Sequence, residues 1–560
     1  MKDFHLPTRA ELPRDLVAGL TLSVTQIGLT LAYTIVAGVP PVHGLYASMV
    51  GTPVGALTAS TQRMAMVTTA ALSLTVGAAL AVLPADQRIP GLLVLTVLTG
   101  FMMLAAGLLR AGGLTRFISN AVMVGFMAGV AVQIVLGQLG ALTGFSSAQQ
   151  NKVLKAVDLV SHAGSIDPAT TVIGAITIAL ILLISLTRAR LFAMAAALVA
   201  GTALAVLPAF SSVSVIGDIA PISGGFPLPH LPDLALVPRL LVPALSLTII
   251  GLVQGAGISR AVRNADGTAG DMSRDFTAQG LANVAGGFFG GATLGGSVAA
   301  TAVNVRAGAR TRWAAVFAGL FLIALVLVAA PLVAAVPQAV TAGIVIVAAA
   351  GAIRPKAMRE IWTADRISAL VMAVTFALVL VIPLQYAVLA GAALSVLKYI
   401  YLASLDIKVV RLEFDEHGRA HECPPPRTLE NSSVTVLDIY GSLFFAAGPK
   451  IKELLPDPAG AQRAVVVLRL RGRGTLHSAS LQLLRDYAAA LASGGGRLLL
   501  AGVGPAMKEQ LERTGLLATL GEDAVVGATE TAYGSCQLAE RRGRDWLGTE
   551  TAPPDSSWCI

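Results

Sequence analysis

The chain has 560 residues, of which 55% are hydrophobic and only 13% are charged. A soluble domain of average composition carries about 25% charged residues, so this balance excludes an ordinary soluble protein and indicates long segments in lipid. The formal net charge of +8 does not indicate a nucleic-acid partner. The basic residues lie among hydrophobic segments, where the positive-inside bias of membrane proteins explains them.

Long stretches without acidic residues mark the membrane region of the chain. No Asp or Glu lies between Asp15 and Asp86, between Asp86 and Asp158, or between Asp275 and Glu360. The apolar runs in these stretches reach the roughly 20 residues that a helix needs to cross hydrocarbon. We therefore predict a cytoplasmic N-terminus (1–15), a transmembrane domain (16–403), a linker (404–431), a small α/β domain (432–540) and a disordered tail (541–560).

Fourteen apolar segments are predicted in the membrane region, which makes the fold class an all-α polytopic membrane domain followed by a small α/β domain. Several segments are too short to span the roughly 30 Å of hydrocarbon alone. The segments cover residues 16–37, 44–59, 66–83, 91–109, 117–142, 169–187, 191–208, 241–263, 275–290, 297–308, 313–335, 340–353, 367–383 and 384–402.

Basic residues predict the orientation of these segments. If the N-terminus is cytoplasmic, loops after odd-numbered segments hold only Arg88, Lys152, Lys155 and Arg239. Loops after even-numbered segments hold Arg63, Arg110, Arg116, Arg188, Arg190, Arg260, Arg263, Arg274, Arg306, Arg310, Arg312, Arg354, Lys356, Arg359 and Arg366. This asymmetry predicts a multi-pass protein of the inner or plasma membrane with both termini in the cytoplasm.

The C-terminal region alternates β-branched and helical patterns, which indicates a compact α/β domain. Its three cysteines form no metal-ligand cluster and no CxxC pair, so we expect free thiols in a reducing compartment. We predict no metal site, cofactor or enzymatic activity. The predicted strands are 434–439, 464–470 and 498–503, the helices lie around 447–455, 480–492 and 505–514, and the cysteines are Cys423, Cys536 and Cys559.

The third and tenth segments have the pattern of a transport site. The third begins near Thr68, after the polar patch Ser60–Arg63, and the tenth begins near Ser297, after the glycine-rich run Gly286–Gly296. Short, glycine-interrupted segments at corresponding positions of two halves point to a binding site. A half-helix that starts at the membrane midplane presents free N–H groups and a positive dipole end, which favours a small anion. The alternative is that the glycines only permit close helix packing.

Three groups of motifs resemble the sulfate permease family of anion transporters and exchangers. The resemblance implies seven plus seven inverted spans in core and gate domains, homodimers, and a cytoplasmic STAS domain open to a cytosolic partner. The first signature is Arg14-Asp15, Ala18–Thr21, Ala37–Pro41 and Gly44–Ala47; the second is Gln279–Asn283, Phe289–Gly291, Thr301–Asn304 and Ala307–Ala309; the STAS motif is Leu437–Phe445.

Residues of four helices are the candidate substrate ligands. Gln26 and Tyr33 lie seven residues apart on one face of the first helix, which lines the cavity in this family. For Asn304 the cavity and helix packing are both open roles. The full set is Gln26, Tyr33, Thr68, Thr69, Ala70, Gln254, Ser297, Val298, Ala299, Ala300, Thr301 and Asn304.

The chain departs from the family at three positions. Gln254 replaces an acidic residue of the eighth span, Ala300 replaces an arginine of the tenth, and Gly28 replaces a proline of the first. Losing both charges together has two interpretations. One is compensation, because an unpaired charge in the membrane is expensive; the other is drift in an inactive paralogue. Since cation coupling usually needs an intramembrane carboxylate, we predict exchange or uniport, with Asp275 the nearest candidate for such a group.

Other polar residues receive structural interpretations. Gln133 and Gln138 are expected to bond between helices, with a role at the site as the alternative. Arg63 is expected to be a positive-inside anchor, with steering of anions as the alternative, and His43 is expected to be a loop residue. In the α/β domain, Ser478 or Ser480 is expected to cap a helix; phosphorylation of either is the alternative.

Three functions are compatible with these features. The first is transport of a small anion such as sulfate, bicarbonate, chloride or a dicarboxylate, with a lean to a monovalent anion because each helix dipole supplies about half a charge. The second is a nucleobase permease of the same fold, although its glutamates are missing here. The third is a membrane-anchored STAS sensor or scaffold with vestigial transport.

Overall fold

The computed structural model describes residues 6–113, 119–149, 151–219, 225–441, 443 and 447–548. It divides into two compact units, Met1–Val396 and Leu397–Ile560. Arg116, Cys559, Phe444 and Phe445, which the sequence analysis used, lie outside the described residues, as does the tail after residue 548.

All fourteen predicted segments contain helices, so the mostly helical polytopic fold is confirmed. Within the described residues, six helices are long and apolar enough to cross a membrane. The helices are Leu12–Val36, Val42–Tyr46, Thr52–Thr58, Ala70–Leu80, Arg88–Leu108, Asn120–Thr143, Pro168–Ser185, Ala193–Ala205, Val237–Ala261, Met272–Phe288, Val298–Arg306, Trp313–Ala334, Gln338–Ala352, Arg366–Val381 and Leu384–Leu405, with a π-helical turn at Ala47–Gly51.

Two further helices, Lys152–Ser161 and Pro355–Ala364, lie between predicted segments. Each begins after a recognisable signal. Asn151 accepts hydrogen bonds from the N–H groups of Val153 and Leu154, which is N-capping by an asparagine side chain. The second helix has Pro355 at its first position, where the missing N–H of proline removes no helical hydrogen bond.

The third segment is not helical throughout. Its first residues form a strand, Met66–Val67, which pairs antiparallel with Gly295–Gly296 before the tenth segment. The short helices that follow are called here the first half-helix (Ala70–Leu80) and the second half-helix (Val298–Arg306). Glycines suit the second strand because a Cβ on Gly296 would lie 3.1 Å from the Cα of Gly255.

The C-terminal unit is an α/β domain around a six-stranded sheet. In the sheet, strand two pairs with strand one, strand one with strand three, and strands three to six follow in order; the last three pairings are parallel. The strands are Lys408–Phe414, Ala420–Cys423, Val434–Tyr440, Val465–Arg469, Arg497–Val503 and Val525–Gly527, and the helices are Gly448–Leu454, Ser478–Ser493, Pro505–Arg513, Leu516–Leu520 and Gly534–Leu547.

Three details of the C-terminal predictions are wrong. The predicted linker 404–431 contains the first two strands, since Val409 and Leu412 are buried in the domain core. The predicted disordered tail begins inside a helix that ends at Leu547. Neither Ser478 nor Ser480 caps the helix Ser478–Ser493 as predicted. The N-cap residue is His477, without a side-chain capping bond in the described part of the chain.

Two serines and two cysteines of this unit have defined surroundings. The buried Ser480 hydroxyl donates to the carbonyl of Leu443 at 3.1 Å, whereas Ser478 is exposed. The cysteines Cys423 and Cys536 are buried in the domain interior. Phosphorylation at Ser480 would therefore require it to leave the interior, while Ser478 is accessible.

Candidate anion-binding site

The strand pair between the half-helices is held by side chains of the helix Met272–Phe288. The Asn283 amide donates to the Leu294 carbonyl at 2.8 Å and accepts from the Leu294 N–H at 2.7 Å. The Gln279 Oε1 accepts from the Gly296 N–H at 3.1 Å. The sequence analysis noted both residues as motif members but did not predict this role, because it depends on contacts across 11 and 17 positions.

Both half-helices begin directly beside the strand pair. The first is capped by Thr69, whose hydroxyl oxygen accepts from the Leu72 N–H at 3.5 Å. The second is capped by Ser297, which accepts from the Ala300 N–H at 3.2 Å. Because the strands are antiparallel, the half-helices leave from opposite ends of the pair, each with its amino end turned toward the pair. Free N–H groups and a positive dipole end therefore lie at each end of the strand pair.

Gln254 joins the two halves of this arrangement. The Thr69 hydroxyl donates to its Oε1 at 3.2 Å, and a Cβ on Gly295 of the second strand would lie 3.6 Å from the same oxygen. The side chains that face open space come from the second half-helix, since Val298 is 53% exposed and Ala299 is also exposed. Ala70 and Ser297 are half-buried.

The first helix, Leu12–Val36, contacts both half-helices. Gln26 on this helix is 3% exposed, and its amide nitrogen has no hydrogen-bond partner among the described residues. The Thr68 hydroxyl donates to the Thr30 hydroxyl at 3.4 Å, so Thr30 joins the site although the sequence analysis missed it. Tyr33 is buried in the apolar cluster that includes Leu72.

Three predicted ligands of the second half-helix face the loop before the first half-helix. Ala300 is 3% exposed in an apolar cluster with Val67 and Ala315. The Thr301 hydroxyl accepts from the Ala65 N–H at 3.0 Å, and the Asn304 amide donates to the Arg63 carbonyl at 3.0 Å. These contacts position the strand pair, and the packing around Ala300 leaves little room for the family's arginine.

Asp275 is enclosed by hydrogen-bond donors. It accepts from the N–H groups of Ser60 and Thr61 at 2.7 and 2.9 Å, from the Thr61 hydroxyl at 2.5 Å and from the Ser259 hydroxyl at 2.6 Å. These bonds fix the polar loop before the first half-helix. The carboxylate is therefore suited to holding this loop in place.

Asp15 makes a similar set of bonds at the start of the first helix. Its carboxylate accepts from the N–H groups of Arg310 and Thr311 at 2.7 and 3.2 Å and from the Thr311 hydroxyl at 2.5 Å. Both carboxylates therefore bind the N–H groups of a loop that contains threonine. A sequence signal existed, since each aspartate lies in the first turn of a helix, but its partner loop could not be identified from spacing.

Three other polar residues named in the sequence analysis make hydrogen bonds to backbone carbonyls. Gln133 donates to the carbonyl of Val379 on another helix, so its predicted interhelical role is confirmed. His43 is wrong as a loop residue: it lies in the helix Val42–Tyr46, and its Nδ1 is 2.6 Å from the Gly290 carbonyl. The Arg63 guanidinium donates to the carbonyl of Arg263.

Taken together, the helical domain with its central half-helices and the C-terminal sheet domain define a multi-pass membrane transporter. The model described as the sulfate permease family matches residues 12–375, and the STAS domain model matches residues 425–529. The chain belongs to the sulfate permease family, which consists of anion transporters and not of enzymes. This membership separates it from the nucleobase permeases.

Curated relatives agree with this membership. A putative sulfate transporter of Bacillus subtilis (strain 168) is 25% identical over 515 residues, which cover 91% of this chain and 95% of the relative. A probable sulfate transporter of Mycobacterium tuberculosis (strain ATCC 25618 / H37Rv) is 30% identical over 399 residues, or 70% of each chain.

Solved structures share the fold. The murine solute carrier 26 family member A9 anion transporter in its inward-facing state has a TM-score of 0.83 at 18% identity, covering 97% of this chain and 93% of that one. The transmembrane domain of a cyanobacterial bicarbonate transporter has a TM-score of 0.60 at 25% identity, covering 70% of this chain and 98% of that one.

Proposed function

We propose that this chain moves a small anion, such as sulfate, bicarbonate, chloride or a dicarboxylate, across the inner or plasma membrane by alternating access. The anion lies between the amino ends of the two half-helices. The observation that supports the proposal is the strand pair Met66–Val67 with Gly295–Gly296, from whose two ends the half-helices leave with their positive amino ends turned toward the pair.

The donors around this position support an anion. The Thr68 and Thr69 hydroxyls would donate to the anion in place of Thr30 and Gln254. Ser297 supplies a hydroxyl whose printed bond is an accepted one, and Gln26 supplies a buried amide nitrogen without a partner among the described residues. A buried donor of this kind is expensive unless something accepts its hydrogen bond. An anion in the cavity is such an acceptor. The proposed ligands Tyr33, Ala70, Val298 and Ala299 complete the wall through packing and shape.

Transport is exchange or uniport rather than symport with a cation. The family's acidic position in the eighth span is Gln254, and the Asp275 carboxylate is occupied by donors from one loop and one helix. An intramembrane carboxylate that binds a proton or a sodium ion is the usual basis of coupling. Uptake that strictly requires sodium would contradict this part of the proposal.

The proposed assembly is a homodimer with both termini in the cytoplasm and with the STAS domain available to a cytosolic partner. The basic residues of the even-numbered loops support this orientation. Cysteine-accessibility labelling of single cysteines placed in odd and even loops tests the orientation. Mass measurement of the protein in nanodiscs tests the dimer.

Uptake by purified protein in liposomes tests the function. We expect saturable uptake of at least one of labelled sulfate, bicarbonate, chloride and succinate. Gln26→Leu should raise KM about 10-fold or more, because a hydrogen bond to a charged group contributes about 1.5–3 kcal/mol. Gln138→Leu, at a buried glutamine of the helix Asn120–Thr143, is the matched control and should leave KM within about twofold.

A second candidate function is a membrane-anchored STAS sensor or scaffold with vestigial transport. It is favoured by the absence of both family charges, at Gln254 and Ala300. If folded, dimeric protein transports none of the four anions, the sensor function replaces the transport function.

A further inference from the structure

A short helix, Pro355–Ala364, separates the membrane helices Gln338–Ala352 and Arg366–Val381. The backbone leaves helical geometry on both sides of it, with a ψ of 81° at Arg354 and of 123° at Asp365. Its ten residues make a helix about 15 Å long, which is half of the roughly 30 Å of hydrocarbon. Because one membrane helix ends before it and another begins after it, the short helix lies at a surface of the membrane.

One side of the short helix packs on the membrane domain. Ile361 is buried in an apolar cluster with Ala121 and Met372, and Ala357 and Met358 pack against the same cluster. These contacts fix the rotation of the helix about its own axis. The side chains on its other side therefore point away from the domain.

That outer side carries basic groups and a tryptophan. Lys356 and Arg359 are three residues apart, so they are neighbours on the helix surface, and both are exposed. Arg354 and Arg366 flank the helix and are exposed as well. Trp362 is 64% exposed. A tryptophan ring has an apolar body and a polar N–H, which is why this residue is enriched where hydrocarbon meets water.

The acidic residues nearby do not cancel this charge. Four basic residues lie between positions 354 and 366, against the two acidic residues Glu360 and Asp365. The Asp365 carboxylate accepts two N–H groups at the start of the next helix, both at 3.0 Å, so it caps that helix. Glu360 lies one turn after Lys356, and the turn of about 100° per residue places it on the opposite side of Arg359 from Trp362. Positive charge and the aromatic ring thus remain side by side.

We propose that the face formed by Lys356, Arg359 and Trp362 binds the headgroups of acidic phospholipids. Phosphate oxygens accept charge-assisted hydrogen bonds from lysine and arginine, and each basic residue near an acidic bilayer strengthens binding roughly fivefold. The tryptophan ring lies at the level of the headgroups, where both of its parts find partners. A soluble anion would engage the basic groups but leave the ring in water. The inference goes beyond the anion site and does not depend on it.

Quenching of tryptophan fluorescence in nanodiscs tests the inference. Phosphatidylcholine nanodiscs receive increasing amounts of either phosphatidylglycerol or phosphatidylcholine that is brominated near the top of the acyl chain. The fluorescence difference between wild type and Trp362→Phe isolates Trp362 from the other tryptophans. We expect the acidic lipid to quench this difference at a concentration about fivefold lower or less than the zwitterionic lipid needs.

Charge variants show which groups select the acidic lipid, each measured with and without the tryptophan. Lys356→Gln with Arg359→Gln should abolish the preference, whereas Lys356→Arg with Arg359→Lys keeps the charge and should retain it. Lys508→Gln with Arg513→Gln is the matched control, because it removes one lysine and one arginine that are exposed on a short helix of the C-terminal unit. This control should behave as wild type.

The outcomes that would overturn the inference are distinct. Equal quenching by the two lipids would show that the face does not select charge, as would a preference that survives Lys356→Gln with Arg359→Gln. If neither lipid quenches Trp362 and Trp362→Ala separates a dimer into monomers, a second copy of the chain covers the face. If glycerol phosphate in solution binds as tightly as the acidic lipid, the ligand is a soluble phosphate. Anion uptake is measured separately, so none of these results decides the proposed function.

Discussion

Asn283→Leu removes the side chain that fixes the strand before the second half-helix. In the wild type, the backbone N–H and the backbone carbonyl of Leu294 are both bonded to the Asn283 side chain, at 2.7 and 2.8 Å. Leu294 is 1% exposed, so water does not replace these bonds. A buried polar group left without a partner costs about 1–3 kcal/mol, which gives about 2–6 kcal/mol for the two groups.

Two assays measure this loss. The melting temperature of the purified variant should fall by several degrees, at about 1–2 °C for each kcal/mol in a unit of this size. Anion uptake should show a KM at least about 10-fold higher, because the second half-helix is no longer held against the first. Thr277→Val is the matched control on the same helix, since the Thr277 hydroxyl donates to the Ser273 carbonyl of its own helix. A variant that melts and transports like the Thr277→Val control would refute the reasoning.

Three further predictions concern packing, thiol reactivity and charge. Gly100→Ala should sharply reduce the yield of monodisperse protein, because the added Cβ would lie 2.7 Å from the Val284 backbone nitrogen. Gly257→Ala, with open space around the added Cβ, should leave the yield unchanged. Equal yields would contradict the close packing at Gly100. Burial raises the pKa of the Cys536 thiol to about 11, so on the order of one thiol in a thousand is ionised at pH 8. Mass spectrometry should therefore find Cys536, and the buried Cys423, unmodified by maleimide until the protein is denatured. Arg63→Gln should lower anion uptake more than twofold at low ionic strength, and the difference should shrink when gluconate salt screens the charge; a salt-independent difference would contradict steering.

Much of the architecture could be predicted from the sequence because membrane insertion leaves a local record. Each apolar segment must satisfy its backbone hydrogen bonds as a helix, so hydrophobic length and basic loops indicate where helices lie. The fourteen segments and the three central strands of the STAS domain follow from such local patterns. The resemblance to the sulfate permease family was confirmed by the family models over both regions.

The features that failed were those decided by distant contacts. The strand Lys408–Phe414 carries Lys408, Arg411 and Glu413, and this alternation of charge hid a strand whose apolar side is buried by antiparallel pairing with Val434–Tyr440. At Ala300, matching to the family suggested a cavity position, but packing with Val67 and Ala315 buries it. Neighbours far along the chain cannot be identified from one sequence.

The most direct test of the anion site is to locate a heavy anion in the protein. Crystals or vitrified samples of wild type and Gln26→Leu are prepared with bromide, iodide and selenate in turn, and anomalous or difference density is measured. Our account predicts a peak between the amino ends of Ala70–Leu80 and Val298–Arg306 in the wild type, and a weaker peak in the variant. Density for a bound anion elsewhere in the membrane domain, with none between these ends, would contradict it.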